Sequence, residues 1–167
     1  MEDKLPQRKR IRLDNYDYSS AGAYFITICT QNRKCVLSCI VGRGLAPAES
    51  LLTEHGKIAE RQLLSLEERY PFVSIDQYVV MPNHIHFILL LDGGTAGASP
   101  RPTVSDVVCA YKSLTTRECK RNGFAEKLFQ TSFYEHIIRN HSDYTEIVEY
   151  IQQNPSRWSS DKLYTDN

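Results

Sequence analysis

The segment QYVVMPNHIHFILLL, residues 77–91, is the most informative stretch of the chain. Its two apolar runs, residues 78–81 and 85–91, predict buried strands joined by a Pro-Asn turn, with His84 and His86 at the start of the second. Successive side chains of a strand point to opposite faces, so a spacing of two places both imidazoles on one face, about 6.5 Å apart along the strand. Two hydrogen-bonded histidines at the edge of a core are one interpretation. A same-face pair in an otherwise apolar strand favours the other, a divalent-metal site.

Composition indicates one domain with balanced charges. The chain has 167 residues and a mass of 19.2 kDa, which predicts a single domain over residues 1–167. Lys and Arg together number 20, as do Asp and Glu, so any surface for a polyanion must be local. The first residues are charged, and no apolar run approaches the roughly 18 to 20 residues of a membrane helix. We therefore expect a cytoplasmic protein without a membrane partner.

The cysteines and the absence of a phosphate-loop motif argue against a disulfide framework, a zinc site and a nucleotide-dependent enzyme. The five cysteines are odd in number and irregularly spaced, which is typical of reduced thiols. Cys35 and Cys39 have no second pair with which to hold zinc. The GxxxxGK[ST] motif is absent from the sequence, so we expect no nucleotide cofactor.

The remaining secondary-structure signals alternate between strand and helix. Strands are predicted at residues 24–30, 35–41 and 128–139, and helices at 58–69, 103–122 and 142–154, the last with a Ser or Asp cap. Gly- and Pro-rich residues predict surface loops at 42–47 and 92–102. This order predicts an α+β, ferredoxin-like (split βαβ) domain: an antiparallel sheet with helices on one face and the HxH strand at its centre.

The last predicted helix carries a second pair of candidate residues. Tyr150 and Asn154 are four residues apart, so they share one helical face about 6 Å from each other. Alone, they are better explained as a half-buried core aromatic and a residue at the helix end before Pro155. With the HxH strand, they complete a set of two imidazoles, one amide oxygen and one phenol, which suits phosphodiester cleavage.

Four segments resemble the REP-associated branch of the single-tyrosine HUH transposases: PNHIHF, SFYEHIIR, EYIQQNPSRW and IRLDNYDYSSAGAYFITICTQNR. The order of HxH followed by YxxxNP is the most specific part of the resemblance. It implies that His84 and His86 bind a divalent metal, that Asn154 is a third ligand and that Tyr150 is the nucleophile. It also implies the ferredoxin-like HUH domain. Residues 42–50 and 93–102 match no segment of that family.

The chemistry implied is metal-dependent strand cleavage and transfer. A Mg²⁺ or Mn²⁺ ion with open positions grips the scissile phosphate, and Tyr150 attacks it. The products are a 5′-phosphotyrosine and a free 3′-hydroxyl, so the strand can be rejoined without ATP. A free phenol has a pKa of about 10, so the metal or a nearby base must help it ionise.

The expected partner is single-stranded or hairpin DNA. Unpaired bases could stack on Tyr16, Tyr18 or Phe133. A basic N-terminal arm, about residues 1–15, is expected to contact phosphates, although a solvated tail is the alternative. The candidate phosphate contacts are Arg8, Lys9, Arg10 and Arg12 in the arm, with Lys112, Arg139 and Arg157 elsewhere.

Two other functions share these features. A non-catalytic module that binds single-stranded nucleic acid could be built on the same sheet, but stacking bases on it requires exposed aromatics, and the central strands are mainly Val, Ile and Leu. A replication initiator or plasmid relaxase would use the same site, usually within a longer chain. The sequence leaves open whether the protein is a monomer or a homodimer.

Overall fold

A four-stranded antiparallel sheet forms the centre of the computed structural model, which describes residues 21–42, 47–92 and 102–166. In chain order the elements are β1 (Gly22–Cys29), β2 (Ser38–Val41), β3 (Glu49–Leu52), α1 (Glu54–Leu64), α2 (Leu66–Arg69), β4 (Val73–Val80), β5 (His84–Leu91), α3 (Val104–Arg121), β6 (Tyr134–Ile138) and α4 (His141–Gln153). The strands of the main sheet lie in the order β4-β5-β1-β6. Two strand-helix-strand units, β1-α1-β4 and β5-α3-β6, interleave in it, which confirms the predicted ferredoxin-like fold.

The HxH strand is central, as predicted. β5 pairs with β1 on one side, where Thr27 faces His86 and Cys29 faces His84, and with β4 on the other. β4 and β5 are joined by a three-residue turn at residues 81–83. Because β5 is covered on both faces, it is apolar almost without interruption.

Helices cover both faces of the sheet, so the expectation of helices on one face is wrong for α4. Residues of β1 and β5 such as Ile26 and Phe87 belong to a large core with α1 and α3. On the opposite face, α4 packs through Ile147 and Ile151 against Phe25 and Ile88. The apolar stripe of α4 is matched to this smaller patch, and the adjoining residues of the same face are His84 and His86.

Local signals explain where the helices begin and end. Thr103 caps α3 through a reciprocal box with Asp106, and Gly123, with φ of +90°, follows its end. α4 begins one residue earlier than predicted, because Asn140 caps it by accepting a hydrogen bond from the backbone N–H of Asp143 at 2.9 Å. The Ser or Asp cap expected there is therefore wrong.

A small β2-β3 hairpin precedes α1. β2 is shorter than the predicted strand at 35–41, and β3 was not predicted. A Cβ at Gly56 in the first turn of α1 would lie 1.9 Å from the carbonyl oxygen of Leu37, so this close approach admits only glycine. Residues 43–46 and 93–101, most of the two predicted loops, lie outside the described residues. Within the described ranges, no helix combines the length and apolarity needed to cross a bilayer.

Candidate metal and nucleophile site

The two histidines of β5 lie buried on the face that α4 covers. His84 has no exposed surface and His86 is 2% exposed, with ring centroids 4.5 Å apart. Phe25 stacks on His86 at 5.2 Å, and Trp158 lies 5.9 Å from His84. Burial lowers the pKa of His84 to about 4, against the opposing effect of the Asp161 carboxylate. Burial also lowers the pKa of His86 well below its usual value, so both rings are neutral at pH 7.

Hydrogen bonds to the Nδ1 atoms orient both rings, and for His84 they also set the tautomer. The amide nitrogen of Asn83 donates to the carbonyl oxygens of Leu163 and Arg33, which turns its Oδ1 toward His84 Nδ1 at 2.8 Å. His84 Nδ1–H is therefore the donor, and its Nε2 carries the lone pair. His86 Nδ1 lies 2.8 Å from Thr27 Oγ1, so the Nε2 atom on the other side of the ring faces α4. Partners of this kind orient metal-binding histidines.

The face of α4 brings the second predicted pair to the first. Tyr150 Oη lies 3.3 Å from His86 Nε2. Asn154, the C-cap of α4, is 1% exposed. Within the described part of the chain, neither Asn154 Oδ1 nor His84 Nε2 has a hydrogen-bond partner. An unsatisfied buried polar atom typically costs about 1–3 kcal/mol, and a bound cation would remove that penalty. These donor atoms therefore fit a divalent metal.

A carboxylate that the sequence did not single out completes the cluster. Asp161 Oδ2 lies 3.3 Å from Tyr150 Oη and 3.3 Å from Asn154 Nδ2. One ligand atom each from His84, His86 and Asp161 lie within 4.8 Å of one another, so these three could hold a metal. Tyr150 and Asp161 do not share a helix, because α4 ends at Gln153 and the 3₁₀ turn Trp158–Ser160 lies between them. In the sequence, the only signal for Asp161 is that an acidic residue follows shortly after the YxxxNP motif.

The site opens into a cavity of about 800 Å³. Tyr150 is 38% exposed at its wall, beside Phe133 and the 49% exposed Tyr134. Burial and the neighbouring Asp161 carboxylate raise the pKa of Tyr150 above its usual value. The phenol is therefore protonated at pH 7 and requires assistance to become a nucleophile.

The predicted phosphate contacts are dispersed. Arg157 is exposed and lines the cavity, whereas Arg139 is exposed at the end of β6 and does not line it. Lys112 lies in a separate groove, where its Nζ donates to the carbonyl oxygens of Gln130 and Thr131 at 2.5 and 2.8 Å. Six of the predicted DNA contacts lie outside the described ranges: Arg8, Lys9, Arg10 and Arg12 of the arm, with Tyr16 and Tyr18.

Comparison with known proteins points to one family. No family model matches the chain. It is 33% identical to an uncharacterised protein of Haemophilus influenzae over 97% of this chain and 96% of the relative. It is 28% identical to a REP-associated tyrosine transposase of Escherichia coli over 83% of this chain and 68% of the relative. A solved REP-associated tyrosine transposase bound to a REP hairpin aligns with 87% of this chain and 73% of its own, with a TM-score of 0.63 and 25% identity.

Proposed function

The chain belongs to the family of REP-associated tyrosine transposases, and from that premise we propose that it cuts and rejoins hairpin DNA through a covalent link to Tyr150. Membership makes it a transposase-like enzyme that acts on DNA. The observation that carries the finer proposal is the convergence of α4 and β5. There, Tyr150 Oη lies 3.3 Å from His86 Nε2, and His84 Nε2 and Asn154 Oδ1 have no hydrogen-bond partner among the described residues.

The proposed metal ligands are His84, His86 and Asn154, and Asp161 is assigned to the phenolic proton instead. Nitrogen and oxygen donors of this kind suit Mg²⁺ or Mn²⁺, and the neutral rings need lose no proton to bind. When bound, the ion withdraws charge from a scissile phosphate. Calorimetry with Mn²⁺ tests the proposed metal ligands without requiring cleavage. A variant that lacks His84 Nε2 should no longer bind the ion.

The chemical step belongs to Tyr150. Its Oη attacks phosphorus, an Oη–P bond forms, and the P–O3′ bond breaks to leave a 5′-phosphotyrosine. The phenolic proton passes to Asp161, whose Oδ2 lies 3.3 Å away, and O3′ leaves as a hydroxyl after taking up a proton from solvent. Attack of a 3′-hydroxyl on the phosphotyrosine reverses these changes. The bond energy is therefore conserved, and no nucleotide cofactor is required.

The cavity suits an unpaired strand. Phe133 and the exposed Tyr134 lie at its wall, where bases can stack, and Arg157 supplies a positive charge for a phosphate. The paired bases of an intact duplex offer no such faces. The related structure that contains a REP hairpin supports a hairpin as the substrate, with its unpaired flank in the cavity.

A non-catalytic binding module is the weaker alternative. Such a module has no need of two buried unpartnered ligand atoms beside a tyrosine hydroxyl. A replication initiator or relaxase shares the chemistry, but the named relatives favour the transposase. A single domain, acting as a monomer or a homodimer, remains our prediction.

The test is incubation of the protein with end-labelled hairpin oligonucleotides and Mn²⁺, followed by a denaturing gel. We expect a labelled protein-DNA adduct that disappears when the metal is chelated. A wild-type protein that binds Mn²⁺ and the hairpin, yet forms neither adduct nor cleaved strand, would exclude the proposed chemistry.

A further inference from the structure

A second groove, separate from the cavity, lies between α3 and residues 127–131. We call it the α3 groove. Among the described residues, no carboxylate lines it. The cations that line it are Lys112, Arg117, Lys120, Arg121 and Lys127. Because the whole chain has no net charge, this is a local concentration of positive potential.

The neighbouring acids are engaged elsewhere. Glu118 of α3 turns toward α1, where it accepts hydrogen bonds from Arg61 and Gln62. Glu126 forms an ion pair with Lys34. Within the described ranges, Arg117 and Lys120 form no ion pair, and both are exposed. The groove therefore presents free charge to an anionic partner.

The groove adjoins the cavity that contains Tyr150. Gln130 lines both. The segment between them is fixed, because the backbone N–H of Gln130 donates to the Cys29 carbonyl at 3.0 Å and Lys112 Nζ holds the carbonyls of Gln130 and Thr131. The ammonium of Lys112 therefore also positions the ridge between the two depressions. A polyanion can cross this ridge from groove to cavity.

The side chains of the groove select for phosphates over bases. Its one aromatic residue among those described, Phe129, is 3% exposed and offers no stacking surface. The remaining polar side chains are the hydroxyls of residues such as Ser113 and Thr116, the Gln130 amide and the Cys109 thiol. The cavity differs, since Phe133 and Tyr134 line it. A double helix, whose bases face inward and whose phosphates face outward, matches the groove.

From these observations we infer that the α3 groove binds the phosphate backbone of a DNA duplex stem that adjoins the strand cut in the cavity. This inference rests on the proposed function. It divides the hairpin between two surfaces: the stem on α3 and the unpaired flank beside Tyr150.

The test compares Arg117→Gln/Lys120→Gln with a control of equal charge, Lys57→Gln/Arg69→Gln, which removes two exposed cations that do not line the groove. Fluorescence anisotropy is measured over a range of salt with a stem-only duplex and with an unpaired strand. For the duplex we expect the groove variant to lose roughly two units of salt slope, with at least a tenfold weaker affinity at low salt. The control and the unpaired strand should change little.

The outcomes of this test distinguish the groove assignment from the proposed function. An unchanged duplex slope, or equal losses for duplex and unpaired strand, would overturn the assignment and leave the groove to another anionic partner. Because a stem-only duplex offers no cleavable flank, this binding does not depend on Tyr150 chemistry. If wild-type protein binds duplex through the groove but forms no adduct with any hairpin, the proposed function fails and the groove assignment stands.

Discussion

The two faces of the central sheet are built from the same strands and serve different purposes. On the α1 and α3 face, β1 and β5 contribute only apolar side chains such as Ile26 and Phe87, all inside one core. On the α4 face, a small patch of four buried apolar residues adjoins Thr27, His84 and His86, which are also buried. Because side chains alternate along β5, every second residue packs into the large core. Of the residues that face α4, the two at the start of the strand belong to the candidate site.

The difference shows how a site of buried polar groups is maintained. Two ligand-type atoms, His84 Nε2 and Asn154 Oδ1, are buried without hydrogen-bond partners in the described part of the chain, which is unfavourable in the absence of a cation. Apolar burial on the opposite face, worth about 25 cal/mol per Å², offsets that penalty. Mutations on the two faces should therefore have separable effects.

Tyr150 is where we expect the clearest separation between an effect on activity and an effect on stability. Tyr150→Phe removes only the hydroxyl, so it should abolish the covalent adduct while leaving metal binding, hairpin binding and stability nearly unchanged. Tyr144→Phe is the matched control on the same helix, where the hydroxyl donates to Asp76 at 2.6 Å. If the Tyr150→Phe variant still forms a denaturant-resistant adduct, or peptide mapping places DNA on another tyrosine, α4 does not carry the nucleophile.

Substitution of either histidine should have the next largest effect, because it removes a proposed metal ligand and leaves Tyr150 in place. His84→Ala or His86→Ala is expected to abolish divalent-metal-dependent cleavage and calorimetric Mn²⁺ binding, with folding nearly intact by circular dichroism. His141→Ala, at the exposed start of α4, serves as the control. Full cleavage by the double variant His84→Ala/His86→Ala would contradict the metal assignment.

The opposite face should respond in stability alone. Phe87→Ala removes a fully buried ring whose centroid lies 6.2 Å from that of Tyr111, and should lower the free energy of unfolding by about 3–5 kcal/mol. Chemical denaturation measures the loss, and Leu51→Ala, at a 58% exposed position, is the control. Mn²⁺ affinity per folded molecule should be unchanged. A large drop in affinity would show that the two faces are coupled.

A pair of threonines tests the same contrast more finely. Thr27→Val removes the hydroxyl 2.8 Å from His86 Nδ1 and should weaken Mn²⁺ affinity roughly 10- to 100-fold. Thr115→Val removes a buried hydroxyl on the other face, which donates to the Tyr111 carbonyl at 2.8 Å, and should leave metal affinity unchanged. Similar affinities in the two variants would show that Thr27 does not orient His86.

The smallest effect is expected from the basic arm, which lies outside the described residues. Deleting residues 1–10 removes Arg8, Lys9 and Arg10, and should flatten the salt dependence of hairpin binding by roughly one unit of slope per lost contact. Anisotropy at several salt concentrations measures it. An unchanged slope would make the arm a solvated tail.

Short-range spacing explains which parts of this structure were predictable. The periods of two and of four residues place His84 beside His86 and Tyr150 above Asn154, because strand and helix geometry fixes those neighbours. The ferredoxin-like order followed from element signals. Periodicity does not say which sheet face a later helix will cover, and so all the helices, α4 included, were expected on one face. Asp161 escaped notice because a 3₁₀ turn, rather than a regular repeat, determines its position.

The position of α4 in the chain also affects biosynthesis. β5 carries His84 and His86, but Tyr150, Asn154 and Asp161 all follow β6, the last strand of the sheet. Translation proceeds from the N-terminus, and domains fold as units during or after it. A ribosome-bound or prematurely terminated chain that ends before α4 has both histidines but lacks Tyr150, Asn154 and Asp161. Under the proposed chemistry, such a chain could not form the covalent link to DNA before α4 has been synthesised.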